Sequence, residues 1–93
     1  MTFQWLNKQG VRSPDGFEVQ FVGRFELEYR ENGRSIVFGI EDLCGVPGIR
    51  FFESWRTARW QDGSVPISSE DLERIKANLT DALSFMDLRA EFD

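Results

Sequence analysis

The chain contains no histidine. That absence removes every Ser-His and Cys-His nucleophile arrangement, the commonest general base and the commonest zinc ligand. Cys44 is the only cysteine, so no disulfide can close within the chain. With one thiol and no imidazole, a zinc site is not expected. No apolar run approaches the roughly 20 residues of a membrane span. No basic patch followed by an apolar stretch opens the sequence, so no secretory signal is read and the expected location is the cytoplasm. Asn78-Leu79-Thr80 matches a glycosylation sequon. With no secretion signal, and inside an expected helix, it reads as chance.

What is present suits one small folded domain. The 93 residues are 41% hydrophobic and include nine Phe and three Trp, whereas disordered chains are poor in aromatics. A chain of this size buries roughly 60–65% of the surface its unfolded form would expose, so the core is thin.

The net charge of −5 is unevenly spread. Residues 1–40 balance to zero, as do residues 41–60. Residues 61–93 hold eight acids against Arg74, Lys76 and Arg89, and carry the whole excess. Such a chain repels phosphate backbones at long range, so nucleic acid is not an expected partner. A basic protein is a better match.

Local patterns predict an α+β domain over residues 1–93. It is an antiparallel sheet of hairpins with one C-terminal amphipathic helix on one face and a short final strand. Phe3 to Leu6 reads as a first strand, and Ser13-Pro14-Asp15-Gly16 as a turn. From Phe17 the apolar residues alternate: Phe17, Val19, Phe21, Phe25, Leu27 and Tyr29 share one parity. Gly23 lies within this run, and either a bend in one long strand or a turn fits it. The bend is preferred, because a turn at Val22-Gly23 would oppose Phe21 to Arg24. Asn32-Gly33 is the signature of a type I′ hairpin turn. It sets Glu31 opposite Arg34, Tyr29 opposite Ile36, Leu27 opposite Phe38 and Phe25 opposite Ile40, with the apolar pairs on one face.

Glu41-Asp42 ends that strand. Residues 44–48 form a loop, Ile49 to Ser54 a strand, and Trp55 to Val65 an irregular stretch. A helix follows from Ser69 to Met86. Ser68 is the expected N-cap, with Asp71 three residues on, and Ile67 and Leu72 fit a hydrophobic staple. Leu72, Ile75, Leu79, Ala82, Leu83 and Met86 form its apolar stripe. Leu88 to Phe92 reads as the last strand.

Four places carry candidate chemistry, one of them the carboxylates along the helix and at the C-terminus, which read most simply as a solvated face and otherwise as a docking surface for a basic protein. Arg50 to Trp60 interleaves Arg50, Arg56 and Arg59 with Phe51, Phe52, Trp55 and Trp60. Trp and Arg dominate binding hot spots, so Trp55, Arg56, Arg59 and Trp60 are candidate partner-binding residues. The plainer alternative has both indoles plugging the ends of a thin core. Stacking of single-stranded bases is a third reading, which the acidic total opposes. Glu41 and Asp42 are adjacent carboxylates at a strand end, where strand neighbours point to opposite faces. They are candidate acidic contacts for a partner rather than an acid–base pair or a cation site. Cys44 has no neighbouring base to stabilise a thiolate. Gly45-Val46-Pro47-Gly48 lacks the Lys and Ser/Thr of a phosphate loop, and no cofactor is expected.

From Trp60 the chain reads W-Q-D-G-S-V-P-I-S-S-E-D-L-E-R-I-K-A-N-L-T-D-A-L-S-F. A Trp and a Gly precede the Ile67-Ser68 helix start. Arg74-Ile75, Asn78-Leu79, Ala82-Leu83 and Phe85 follow. Upstream, Gly16-Phe17 leads into strands, Tyr29 precedes an Asn-Gly-Arg turn, and Glu41 ends the hairpin. This pattern resembles the small immunity proteins of bacterial polymorphic toxin systems, over half to two-thirds of the chain. The resemblance implies a cytoplasmic protein, not itself an enzyme, that binds a cognate toxin domain and blocks it. Its matching positions look structural, so no site residue follows from them.

The leading expectation is therefore an immunity-type inhibitor that presents carboxylates, with Trp55 or Trp60 as anchors, to a basic toxin domain. A different class, a small self-assembling domain that forms a homodimer through a sheet edge, is the alternative. A carboxylate-based enzyme using Glu41, Asp42 or Tyr29 ranks below both.

Overall fold

The computed structural model describes residues 2–61, 63 and 67–93. Among the described residues seven strands lie in the order of the chain: β1 (Gln4–Asn7), β2 (Gly10–Arg12), β3 (Glu18–Gly23), β4 (Glu26–Glu31), β5 (Arg34–Asp42), β6 (Gly48–Phe51) and β7 (Arg89–Phe92). β1 to β6 form an antiparallel meander, and β7 adds to β6 in parallel. A parallel partner requires a long crossover. Here it holds a 3-10 helix (Glu53–Thr57) and α1 (Ser69–Phe85). The sheet curls around α1, so that Phe85 near the helix end meets Phe3 and Trp5 at the β1 side, at 5.4 and 5.7 Å between ring centres.

The expected α+β architecture is the one observed, and the β4–β5 hairpin forms in the expected register. Glu31 faces Arg34, Tyr29 faces Ile36 and Leu27 faces Phe38. Asn32 and Gly33 take φ of 52° and 78°, the positive values that the turn requires. Ser68 caps α1, its Oγ accepting from the Asp71 N–H at 3.2 Å. Ile75, Leu79, Ala82 and Leu83 are buried against Val11, Val19, Leu27, Tyr29, Ile36, Phe38, Ile40 and Phe51.

The chain does not bend at Gly23. It turns through Arg24-Phe25, and Gly23 pairs with Glu26. An irregularity between Phe21 and Gly23 absorbs Val22 and keeps Phe21 opposite Leu27. That extra residue restores the parity an unbulged turn would have broken. The strand after residue 48 is also shorter than expected, because Glu53–Thr57 coils into a 3-10 turn. The main chain that follows covers the edge of β5: Phe52 N–H donates to Gly39 and Gln61 N–H to Ser35. Of the irregular stretch expected over Trp55 to Val65, residues 62, 64 and 65 lie outside the described residues.

Candidate functional site

The two carboxylates expected as acidic contacts stand on opposite sides of β5. Glu41 forms an ion pair with Arg50 across the β5–β6 ladder. Asp42 is exposed and sits opposite Ile49. They do not converge, so they make no acid–base pair.

Both candidate indoles are in the core, Trp55 at 8% and Trp60 at 4% exposure. Trp55 Nε1 donates to the Asp93 main-chain oxygen at 2.7 Å, and its ring meets Phe92 edge to face. The Arg56 guanidinium and the Lys76 ammonium lie over the Trp55 ring at 5.6 and 5.5 Å. Arg56 Nε also donates to the Asp93 oxygen, at 2.8 Å. Trp60 lies under the Arg34 guanidinium at 5.0 Å. Arg59 is exposed. An approaching protein therefore meets the cations over these rings rather than the rings themselves.

The best-connected polar cluster holds only one residue named from the sequence as a candidate for catalysis, Tyr29. It joins β4 to α1. Arg74 forks onto Glu31, with Nε donating to Oε1 at 3.2 Å and Nη2 to Oε2 at 2.5 Å, while Nη1 donates to Asp71 at 2.6 Å. The Tyr29 hydroxyl donates to Glu31 Oε1 at 2.6 Å and accepts from Asn78 Nδ2 at 2.9 Å. Burial, followed by the bond to Glu31, pushes the Tyr29 phenol well above its ordinary pKa. The bonds to Glu31 and then Asp71 hold Arg74 even more firmly protonated than usual. Beside this network lies a cleft of about 390 Å³, lined by Asp15, Gly16, Phe17, Glu31, Asn32, Arg74 and Asn78. One signal was available in the sequence: Asp71, Arg74 and Asn78 recur at helical spacing alongside the apolar stripe.

The outward face of α1 has a different character. Glu70, Glu73, Ala77, Thr80, Asp81 and Ser84 are exposed along it. Glu70, Glu73 and Asp81 have no ion-pair partner among the described residues. Of the helix cations, Arg74 points to Glu31 and Asp71, while Lys76 lies over the rings of Trp55 and Phe92 and borders the acidic face without an ion pair to Glu73 or Asp81. Glu73, Lys76, Ala77, Thr80 and Asp81 line a shallow hollow of about 310 Å³. The carboxylates of Glu18, Glu28, Glu31, Glu41 and Asp71 are each tied to an arginine, whereas Asp15, Glu26, Asp42, Glu53 and Asp87, like the three on α1, have no ion pair among the described residues. Among the described residues no cluster of acids and thiol is placed to hold a metal ion, and no helix is long and apolar enough to cross a membrane. Comparison with protein-family models, with curated proteins and with solved structures gives no match.

Proposed function

We propose that this chain is a protein-binding module, an immunity-type inhibitor that docks on a basic toxin domain through the outward face of α1. The observation that carries the reading is the row of exposed carboxylates at Glu70, Glu73 and Asp81, which have no ion pair among the described residues. They stand on an element whose other face is locked into the core, so they are displayed on a rigid support. Nucleases are basic because they grip phosphates, and an acidic face both steers encounter with such a surface and competes with the natural substrate. The inhibitor acts by occupancy and does no chemistry of its own. The cytoplasm is where it would meet a toxin that has entered or is being made.

The test is calorimetry against the C-terminal domain encoded by the adjacent upstream gene, at low and at high salt. One-to-one binding that weakens with salt is expected. Glu73→Lys with Asp81→Lys should weaken it about tenfold or more, with the thermal midpoint nearly unchanged. Binding that ignores both salt and charge reversal would sink the reading.

A second reading, a self-assembling domain, draws on β1. All four of its residues are exposed, Trp5 by 54%, and none is charged or proline. An unguarded edge strand invites pairing with another copy. Against it, β1 is short and carries a register shift between Trp5 and Asn7, which blunts an edge. Light scattering without any partner separates the two: a stable dimer favours self-assembly.

A further inference from the structure

We infer that the cleft between the Ser13–Gly16 turn, the tip of the β4–β5 hairpin and the first turns of α1 receives one basic side chain, an arginine or lysine, from the protein partner. This rests on the proposed function for the partner's identity, but the cleft's chemistry stands on its own geometry.

The balance of charge around the cleft disfavours anions. Its one base is Arg74, and each of the three guanidinium nitrogens already donates to a carboxylate, two to Glu31 and one to Asp71. Two N–H bonds of that guanidinium remain, one on each Nη, but its single positive charge is outweighed by the carboxylates around it. Hydrogen-bond acceptors are left over as well. Glu31 and Asp71 together exceed Arg74 by one negative charge. Asp15 adds another, and its carboxylate has no partner among the described residues.

Asn78 supplies an independent acceptor. The Tyr29 hydroxyl gives its proton to Glu31, so its oxygen must accept from Asn78. That fixes the amide with its NH2 on Tyr29 and leaves Oδ1 as the uncommitted atom of a side chain that lines the cleft. Phe17, 5% exposed and stacked on Tyr29 at 5.7 Å, gives the cleft an apolar wall. An acceptor-rich site with an apolar wall suits a long stem with a cationic head. The volume, about 390 Å³, is at the low end for a ligand pocket and admits one such side chain with some water.

The site is also held in shape. Ser13 is buried, and its Oγ accepts from Asp15 N–H at 2.9 Å while its carbonyl accepts from Gly16 N–H at 3.1 Å. Asp15 therefore stands on a fixed turn.

The experiment is an NMR titration of the whole protein with N-acetyl-arginine amide, and with N-acetyl-glutamine amide as a neutral comparator. Saturable shifts at the Gly16 amide and the Asn78 side-chain amide are expected, with a dissociation constant of about 1–10 mM for so small a probe. Asp15→Asn should weaken binding about fivefold, while Asp42→Asn, at another exposed carboxylate, should not. Equal shifts from the glutamine probe, or equal effects of the two variants, would overturn the inference. Against the toxin domain, Asp15→Asn should also weaken binding; a partner that binds but ignores Asp15 overturns the inference and leaves the inhibitor reading standing. If the arginine probe binds as expected and no basic protein does, the inhibitor reading fails alone.

Discussion

Arg74 in α1 grips Glu31 at the end of β4 with two parallel hydrogen bonds across 43 residues of sequence. The fork is the polar counterpart of the apolar stripe: it sets where along β4 the helix lies. Glu31 keeps only 16% of its side chain exposed, so losing its partner strands a mostly covered carboxylate. Arg74 is 45% exposed, which tempers the effect. Arg74→Ala should cost about 1–2 kcal/mol in a urea unfolding titration. Arg74→Lys should recover only part of it, because an ammonium cannot make the paired fork. A lysine variant as stable as the parent would show that charge alone, and not the fork, does the holding.

Tyr29 is the only tyrosine, so tyrosinate absorbance reports one group. Its folded-state pKa is raised, by burial first and by the Glu31 bond second. The sign is fixed by linkage: the folded state holds the proton more tightly than the unfolded chain, whose phenol titrates near pH 10. The stabilisation is complete below about pH 10 and declines as pH climbs toward the folded value. Tyrosinate should therefore appear only as the protein unfolds in alkali. Tyr29→Phe should lose about 1 kcal/mol at neutral pH and show a flatter decline above pH 10. Phenol ionisation near pH 10 in protein that is still folded would refute the placement.

Gly48 sits where β6 meets β7. A Cβ there would lie 2.5 Å from Leu43 Cδ1 and 2.7 Å from the Arg89 main-chain oxygen. The second contact is backbone and cannot swing aside. Gly48→Ala should cost roughly 2–3 kcal/mol and should loosen β7 first. Hydrogen exchange is the direct check, with early loss of protection expected at the Arg89 amide, which donates to Pro47.

How much of this was legible in the sequence depended on whether a feature was local. The Asn32-Gly33 turn states its own register, and Ser68 with the stripe from Leu72 states the helix. β2 was missed because three residues with Val11 as the one large apolar side chain hold no period. The turn at Arg24-Phe25 was missed because parity was carried through Gly23 without allowing for the bulge at Val22. The Tyr29, Glu31, Asp71, Arg74 and Asn78 cluster was half visible. Its helix members share a spacing, but which strand they meet depends on how the crossover lays α1 on the sheet. The Arg- and Trp-rich stretch drew notice by composition, and composition does not separate a buried indole from a displayed one.

The three tryptophans turn that last point into an experiment. Trp5 is 54% exposed, whereas Trp55 and Trp60 are nearly covered. Acrylamide should quench one component of the emission readily and the rest poorly. Trp5→Phe should remove the accessible component and change stability by less than about 1 kcal/mol, since the side chain is 54% exposed at the sheet's edge, where it meets Phe85. Trp55→Phe should behave in the opposite way, leaving the quenchable fraction intact and lowering stability. It gives up the indole N–H bond to Asp93 and part of the ring on which Arg56 and Lys76 rest. If a partner docks on the acidic face of α1, its arrival should leave the Trp5 component as quenchable as before. Protection of Trp5 on binding would move the interface to β1 and favour sheet-edge pairing instead.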